Sequence, residues 1–296
     1  MNPCATTFPI RDYDLDATVA SGQAFRWSAH RGGWVGVIGR RWVRLKSTDI
    51  SLTAQTAEPV PDWRWLTHYL QLELDLQPVL ASFPPDDAMR SAVQACQGLR
   101  LLRQDPWECL ASFILSSTKQ IVQIRQIISH LSEDFGKPVS VPRGHAPIRA
   151  FPTPEALASA NEAALRACKM GFRAPYLLAA ARAVSEGDLR LDVLHQMSVT
   201  DARAQLLKLA GVGPKIADCV LLFAYGFQSA FPVDVWVMKA LRELYFPRRR
   251  PDKARLQRFT ETYFGAHAGY AQQYLFHYMR TRRQTPAKAI ALRGVR

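Results

Sequence analysis

The hydrophobic texture of the chain changes once. Residues 18–56 carry short alternating runs, FRW at 25–27, WVGVIG at 34–39, RWVRL at 41–45 and ISLTA at 50–54, separated by His30-Arg31-Gly32-Gly33 and Gly39-Arg40. Alternation with period two between such breaks predicts antiparallel strands joined by tight turns. After Pro59-Val60-Pro61 the apolar positions recur at helical spacing. Helices are expected over 86–97, 106–117, 119–135, 154–160, 161–168, 174–186, 200–209, 215–226, 234–245, 252–264 and 268–283. Pro84-Pro85-Asp86-Asp87 reads as a helix entry, since proline and acids suit a first turn. The proline-rich stretch 137–154 reads as an extended connection. The fold class is therefore α+β, mainly helical, with an N-terminal antiparallel β region over residues 1–80, including a linking helix, and a helical region over 81–296.

Composition narrows the class. With 296 residues and 48% hydrophobic positions the chain can bury a real core, which excludes a small disulfide-stapled scaffold. Five scattered cysteines, none in a C-x-x-C pair, and an N-terminus (MNPCATTFPI) without a charged start and apolar run point to a reduced compartment rather than secretion. That means the cytoplasm or nucleoid of a bacterium, or the nucleus of a eukaryote. Runs such as VLLFAY at 220–225 fall well short of a membrane span, so no membrane partner is expected. The formal charge is +13, and residues 241–296 alone carry 13 Lys or Arg against three acids. Such a concentration is the footprint of a polyanion binder, or else a solvated face and basic tail.

The most informative stretch is LLKLAGVGPKIADCVLLFAYG, residues 206–226. An amphipathic helix is followed by the turn Gly211-Val212-Gly213 and a second helix opening at Pro214-Lys215, a helix-hairpin-helix at about 200–226. Both glycines permit positive φ and close backbone approach, and the free amides suit a phosphate. Lys215 sits in a first turn, where the macrodipole disfavours a cation. It is either an exposed lysine touching phosphate or an amine tuned to act as a nucleophile. Nineteen residues on, Asp234 precedes VWVMKALRELY. It reads as an N-cap, a role compatible with a rigidly aimed carboxylate that is held ionised and stabilises developing positive charge.

Glycine hairpin, lysine and Pro232-Val233-Asp234 together resemble the helix-hairpin-helix DNA glycosylase superfamily. SGQAFRW at 21–27, YLQLELDL at 69–76, LLRQDPWECLASFILSS at 101–117, MGFRAPYLLAAARAV at 170–184 and GYAQQYLF at 269–276 narrow the resemblance to the 8-oxoguanine DNA glycosylase family, over roughly residues 20–280. The resemblance implies a β domain with two helical lobes, and a base excision repair enzyme that is both glycosylase and AP lyase. Its partner would be duplex DNA containing an oxidised purine. The enzyme would work as a monomer with no metal and no cofactor. Lys215 would attack the sugar C1′ and form a Schiff base, and Asp234 would stabilise the oxocarbenium-like state.

Chemistry on a base requires its extrusion into a pocket. The resemblance implies that Gln272 addresses the Watson–Crick edge, Phe276 stacks on one face of the base and Cys219 lies against the other. Read without it, Phe276 and Cys219 are core positions and Gln272 a surface amide. Gly22 would read the N7–H of the lesion through its carbonyl. Phe172 would wedge into the stack, with Arg173 and Tyr176 at the gap.

The chain departs from the family pattern at Thr118 and Gln123, where orphan-base contacts are expected, and at Trp236, where a phosphate-contacting histidine is expected. Arg242, Arg280, Arg282 and Arg283 would grip phosphates, and Lys288, Arg293 and Arg296 would form a loose tail. Two alternatives remain from the residues: an alkylpurine glycosylase on the same scaffold, and a non-catalytic helix-hairpin-helix DNA-binding protein.

Overall fold

The computed structural model describes residues 4–117, 119–248 and 251–282. Thr118, Arg283, Lys288, Arg293 and Arg296 lie outside the described residues. Five antiparallel strands, β1 (Ala5–Pro9), β2 (Ser28–Ala29), β3 (Trp34–Ile38), β4 (Arg41–Ser47) and β5 (Ser51–Thr56), form one sheet in the order β1-β5-β4-β3-β2. In β5 alternation sets the buried face, with Leu52, Ala54 and Thr56 inward. That face meets α1 (Leu15–Ala20) and α2 (Arg64–Leu70) through Leu15, Val19, Leu45, Leu66 and Leu70.

Strand β1 and helix α1 add to the expected elements, and FRW at 25–27 corrects them. Those three residues are irregular, because Gln23 organises the segment as a tied loop. Gln23 Nε2 donates to Thr18 O (2.8 Å) and Arg100 O (2.8 Å), its Oε1 accepts from Leu102 N (2.7 Å), and its carbonyl accepts from Gln104 Nε2 (2.7 Å). A buried amide satisfied by the chain on both sides replaces a ladder. The loop delivers Gly22 with φ +81°.

The remaining helices are α3 (Leu76–Ala81), α4 (Asp87–Ala95), α5 (Pro106–Leu115), α6 (Ile121–Phe135), α7 (Pro154–Ala158), α8 (Glu162–Leu165), α9 (Ala174–Ser185), α10 (Val199–Leu207), α11 (Pro214–Val220), α12 (Val235–Ala240), α13 (Lys253–Tyr263) and α14 (Ala268–Thr281). Local chemistry fixes their starts. Asp86, Asp105, Ser198 and Asp252 each cap an N-terminus, and Pro106 and Pro214 occupy first-turn positions. Wide turns at Leu221–Tyr225 and Leu241–Tyr245 extend α11 and α12. Helix α5 packs on α11, and α14 packs on α12 and α4, around one helical core. Among the described residues no helix is long and apolar enough to cross a membrane.

Candidate active site

A cleft of about 1240 Å³ opens where α5, α6, α11, α12 and α14 converge on the Gly22 loop. Nine residues singled out in the sequence line it: Gly22, Lys215, Cys219, Asp234, Trp236, Arg242, Gln272, Phe276 and Arg280. Helical spacing explains the grouping. Lys215 and Cys219 are one turn apart on α11, and Gln272 and Phe276 one turn apart on α14.

The Lys215 ammonium donates to Ser116 Oγ at 3.0 Å and lies 5.0 Å from the centroid of the Phe113 ring. Cys219 stays a thiol, because burial pushes it up to about 12 against the opposing pull of Lys215. Asp234 caps α12, accepting from Val237 N at 2.8 Å. Burial pushes its carboxyl above the ordinary range, while the amides of Val237 and Trp236, Lys215 and Arg280 pull it down. Burial is the larger influence on this carboxyl and the cap the opposing one.

Gln272 is only 3% exposed, which overturns its reading as a surface amide. Its Oε1 is buried without a hydrogen-bond partner among the described residues. A buried acceptor with no partner costs about 1–3 kcal/mol, which a group that brings it a donor recovers. Beside it, Gln273 Nε2 donates to Ser21 O (3.2 Å), which ties α14 to the loop carrying Gly22. A Cβ on Gly22 would stand 2.7 Å from Ile121 Cδ1, 3.1 Å from Arg280 Nη1 and 3.4 Å from Phe276 Cε1.

The other selected residues lie outside this cleft. At the hairpin, Gly211 has φ +81° and lies close against Tyr176, since a Cβ there would be 2.5 Å from Tyr176 Cγ. Of the two glycines only Gly211 uses positive φ; Gly213 is extended (φ −99°) and serves as the N-cap of α11. Its Cβ position faces open space, which leaves room for a ligand to reach the backbone. Phe172 is 56% exposed on a turn, with its edge against Tyr176. Arg173 is instead buried, bonded to Met170 O (3.3 Å) and Ser117 O, with its guanidinium 4.3 Å from the Phe172 ring centroid. The expectation that it reaches the DNA gap is therefore corrected for this conformation: it braces the Phe172 turn. Gln123 is exposed on α6, where its Oε1 accepts from Gln120 N (3.1 Å) in a capping box.

Two contributors went unseen in the sequence: Ser116, which only its contact with Lys215 reveals, and Arg280 as a cleft residue. The second had a signal in its spacing, four residues beyond Phe276.

Comparison with known proteins gives the family and the fold. Residues 6–110 match the family described as 8-oxoguanine DNA glycosylase, N-terminal domain, and residues 111–265 match the HhH-GPD superfamily of base excision DNA repair proteins. The N-glycosylase/DNA lyase of Saccharomyces cerevisiae is 34% identical over 248 residues, covering 71% of this chain and 65% of its own. The solved complex of MBOgg1 with a low affinity DNA ligand superposes with TM-score 0.90 at 34% identity, covering 96% of this chain and 98% of its own. The 8-oxoguanine glycosylase/lyase of Clostridium acetobutylicum, bound to DNA with cytosine opposite 8-oxoguanine, gives TM-score 0.87 at 30% identity, covering 94% and 98%. The chain belongs to the 8-oxoguanine DNA glycosylase family of the HhH-GPD superfamily.

Proposed function

We propose that the protein excises 8-oxoguanine and related oxidised purines from duplex DNA and then nicks the strand as an AP lyase. The observation that carries the reading is that one cleft collects an amine, a capped carboxylate and a buried carboxamide oxygen without a protein partner. An alkylpurine glycosylase that activates water needs no amine, and a passive binding module needs none of the three.

The steps follow from these groups. Lys215 gives its ammonium proton to solvent, the free amine attacks C1′, the glycosidic C–N bond breaks, and the base leaves with the electron pair and takes up the proton that the newly bonded nitrogen releases. Asp234 faces the positive charge that develops on the sugar, where a partly desolvated carboxylate acts strongly. Ring opening gives a Schiff base, loss of a C2′ proton expels the 3′ phosphate, and hydrolysis frees the lysine. Gln272 Oε1 accepts from the N–H groups of the Watson–Crick edge, Phe276 and Cys219 flank the base, and Gly22 offers its carbonyl to N7–H. The Gly211–Gly213 hairpin takes the backbone, Phe172 and Tyr176 fill the stack, and Gln123 and Trp236 line the approach.

A panel of duplexes carrying 8-oxoguanine opposite each of the four bases, scored separately for base release and nicking, tests the reading. Release followed by nicking is expected. No release from any duplex would sink it.

A further inference from the structure

Gln272, Phe276 and Arg280 stand four residues apart on α14, so they form one stripe, and all three line the cleft. Arg280 makes no contact with the substrate in the steps above, although its charge pulls the Asp234 carboxyl down. Its Nη1 is buried and has no acceptor among the described residues. Its guanidinium carbon lies 5.2 Å from the Phe276 ring centroid. Its Nη1 is 3.1 Å from the point where a Cβ on Gly22 would stand. Asp234 attracts the guanidinium, while burial and Arg125 disfavour its charge. A residue that gripped the DNA backbone would present its donors at the rim. Arg280 instead holds one against the inner wall, beside the two residues proposed to frame the base.

We propose that Arg280 reads the lesion base, donating to the keto oxygen that lies beside the N–H recognised at Gly22. Oxidation at C8 of a purine creates that edge, since N7 gains a hydrogen and C8 gains an oxygen. A donor from Arg280 beside an acceptor from Gly22 is the complement of an N–H next to a C=O. Arginine alone favours undamaged guanine, whose N7 and O6 are both acceptors. The pair excludes it, because the Gly22 carbonyl then meets a lone pair on N7. Arg280 thereby supplies affinity for the oxidised edge, and Gly22 supplies the rejection of the normal one.

The proposal rests on the lesion assignment above, which release of 8-oxoguanine by the wild type tests separately. Single-turnover base release from an 8-oxoguanine:C duplex is compared with nicking of a preformed abasic site, for wild type, Arg280→Met and Arg280→Lys. Loss of a charged hydrogen bond lowers release by about tenfold or more in Arg280→Met, with abasic nicking within about twofold of wild type. Arg280→Lys, which keeps the charge over Phe276 without the planar fork, shows the same split at smaller size. Equal losses in both assays, in variants whose melting matches wild type, would overturn base reading in favour of a phosphate contact. Unchanged release would overturn it outright. If Arg280→Met melts early, the split in Arg280→Lys decides in the same way. A wild type inert on 8-oxoguanine would remove both this proposal and the one beneath it.

Discussion

Lys215 Nζ and Ser116 Oγ are 3.0 Å apart, so the end of α5 tethers the amine at the start of α11. The tether fixes one rotamer of a flexible side chain, and holding a nucleophile near its attack geometry is worth rate. Ser116→Ala frees the amine to sample other rotamers. We expect a fall of about three- to tenfold in the single-turnover rate of Schiff-base formation, roughly the value of one hydrogen bond. Melting should be little changed, and quench-flow trapping reads the rate.

Asp234 sets the acid side of the reaction. Burial raises its folded pKa, so the carboxylate is lost by protonation at a pH above the usual aspartate value near ~3.9. The acidic limb of base release should therefore lie above that range. Asp234→Asn removes the charge and lowers release by about 10²- to 10³-fold. Because the folded pKa is raised, the stability this group contributes is full below the unfolded pKa and lost as pH rises through the folded one. Asparagine caps helices as well as aspartate does. Asp234→Asn should then melt no lower than wild type at pH 7, as calorimetry can check.

Gln272 trades stability for recognition. Its Oε1 is buried without a protein partner, and Met of similar volume would remove that cost. Gln272→Met should raise stability by about 1 kcal/mol in urea titration while lowering base release by about tenfold or more. Nicking of a preformed abasic site should persist, since no base remains to be read.

Gly22→Ala tests the loop. An L-residue at φ +81° carries strain of about 1–2 kcal/mol. The new methyl also meets Ile121 Cδ1 at 2.7 Å and crowds Phe276. The variant should lose that much stability and lose base release more than abasic nicking, measured side by side on the two substrates.

What could be read from the sequence follows a physical division. Helices α4 to α14 announce themselves through local spacing and caps, and residues one turn apart on one helix, such as Lys215 and Cys219, inherit a common face from that spacing. The FRW segment reads as a strand because Phe25 and Trp27 are apolar at alternate positions, yet Gln23, tied to residues some 80 positions away, dictates a loop. Long-range hydrogen bonds leave no periodic trace. For the same reason Ser116 stayed hidden until α5 was placed against α11, and Arg173, in a motif otherwise read as DNA-facing, turned inward to the Ser117 carbonyl. Asp234 is readable as a cap from its place before α12 but not as a desolvated group, because the cleft that holds it is assembled from distant segments.

The central claim, that Lys215 is the nucleophile, is tested most directly by borohydride trapping on an 8-oxoguanine:C duplex. Wild type should give a covalent protein–DNA adduct that is absent in folded Lys215→Gln. An undiminished adduct in Lys215→Gln, or base release by wild type with no adduct at all, would contradict it.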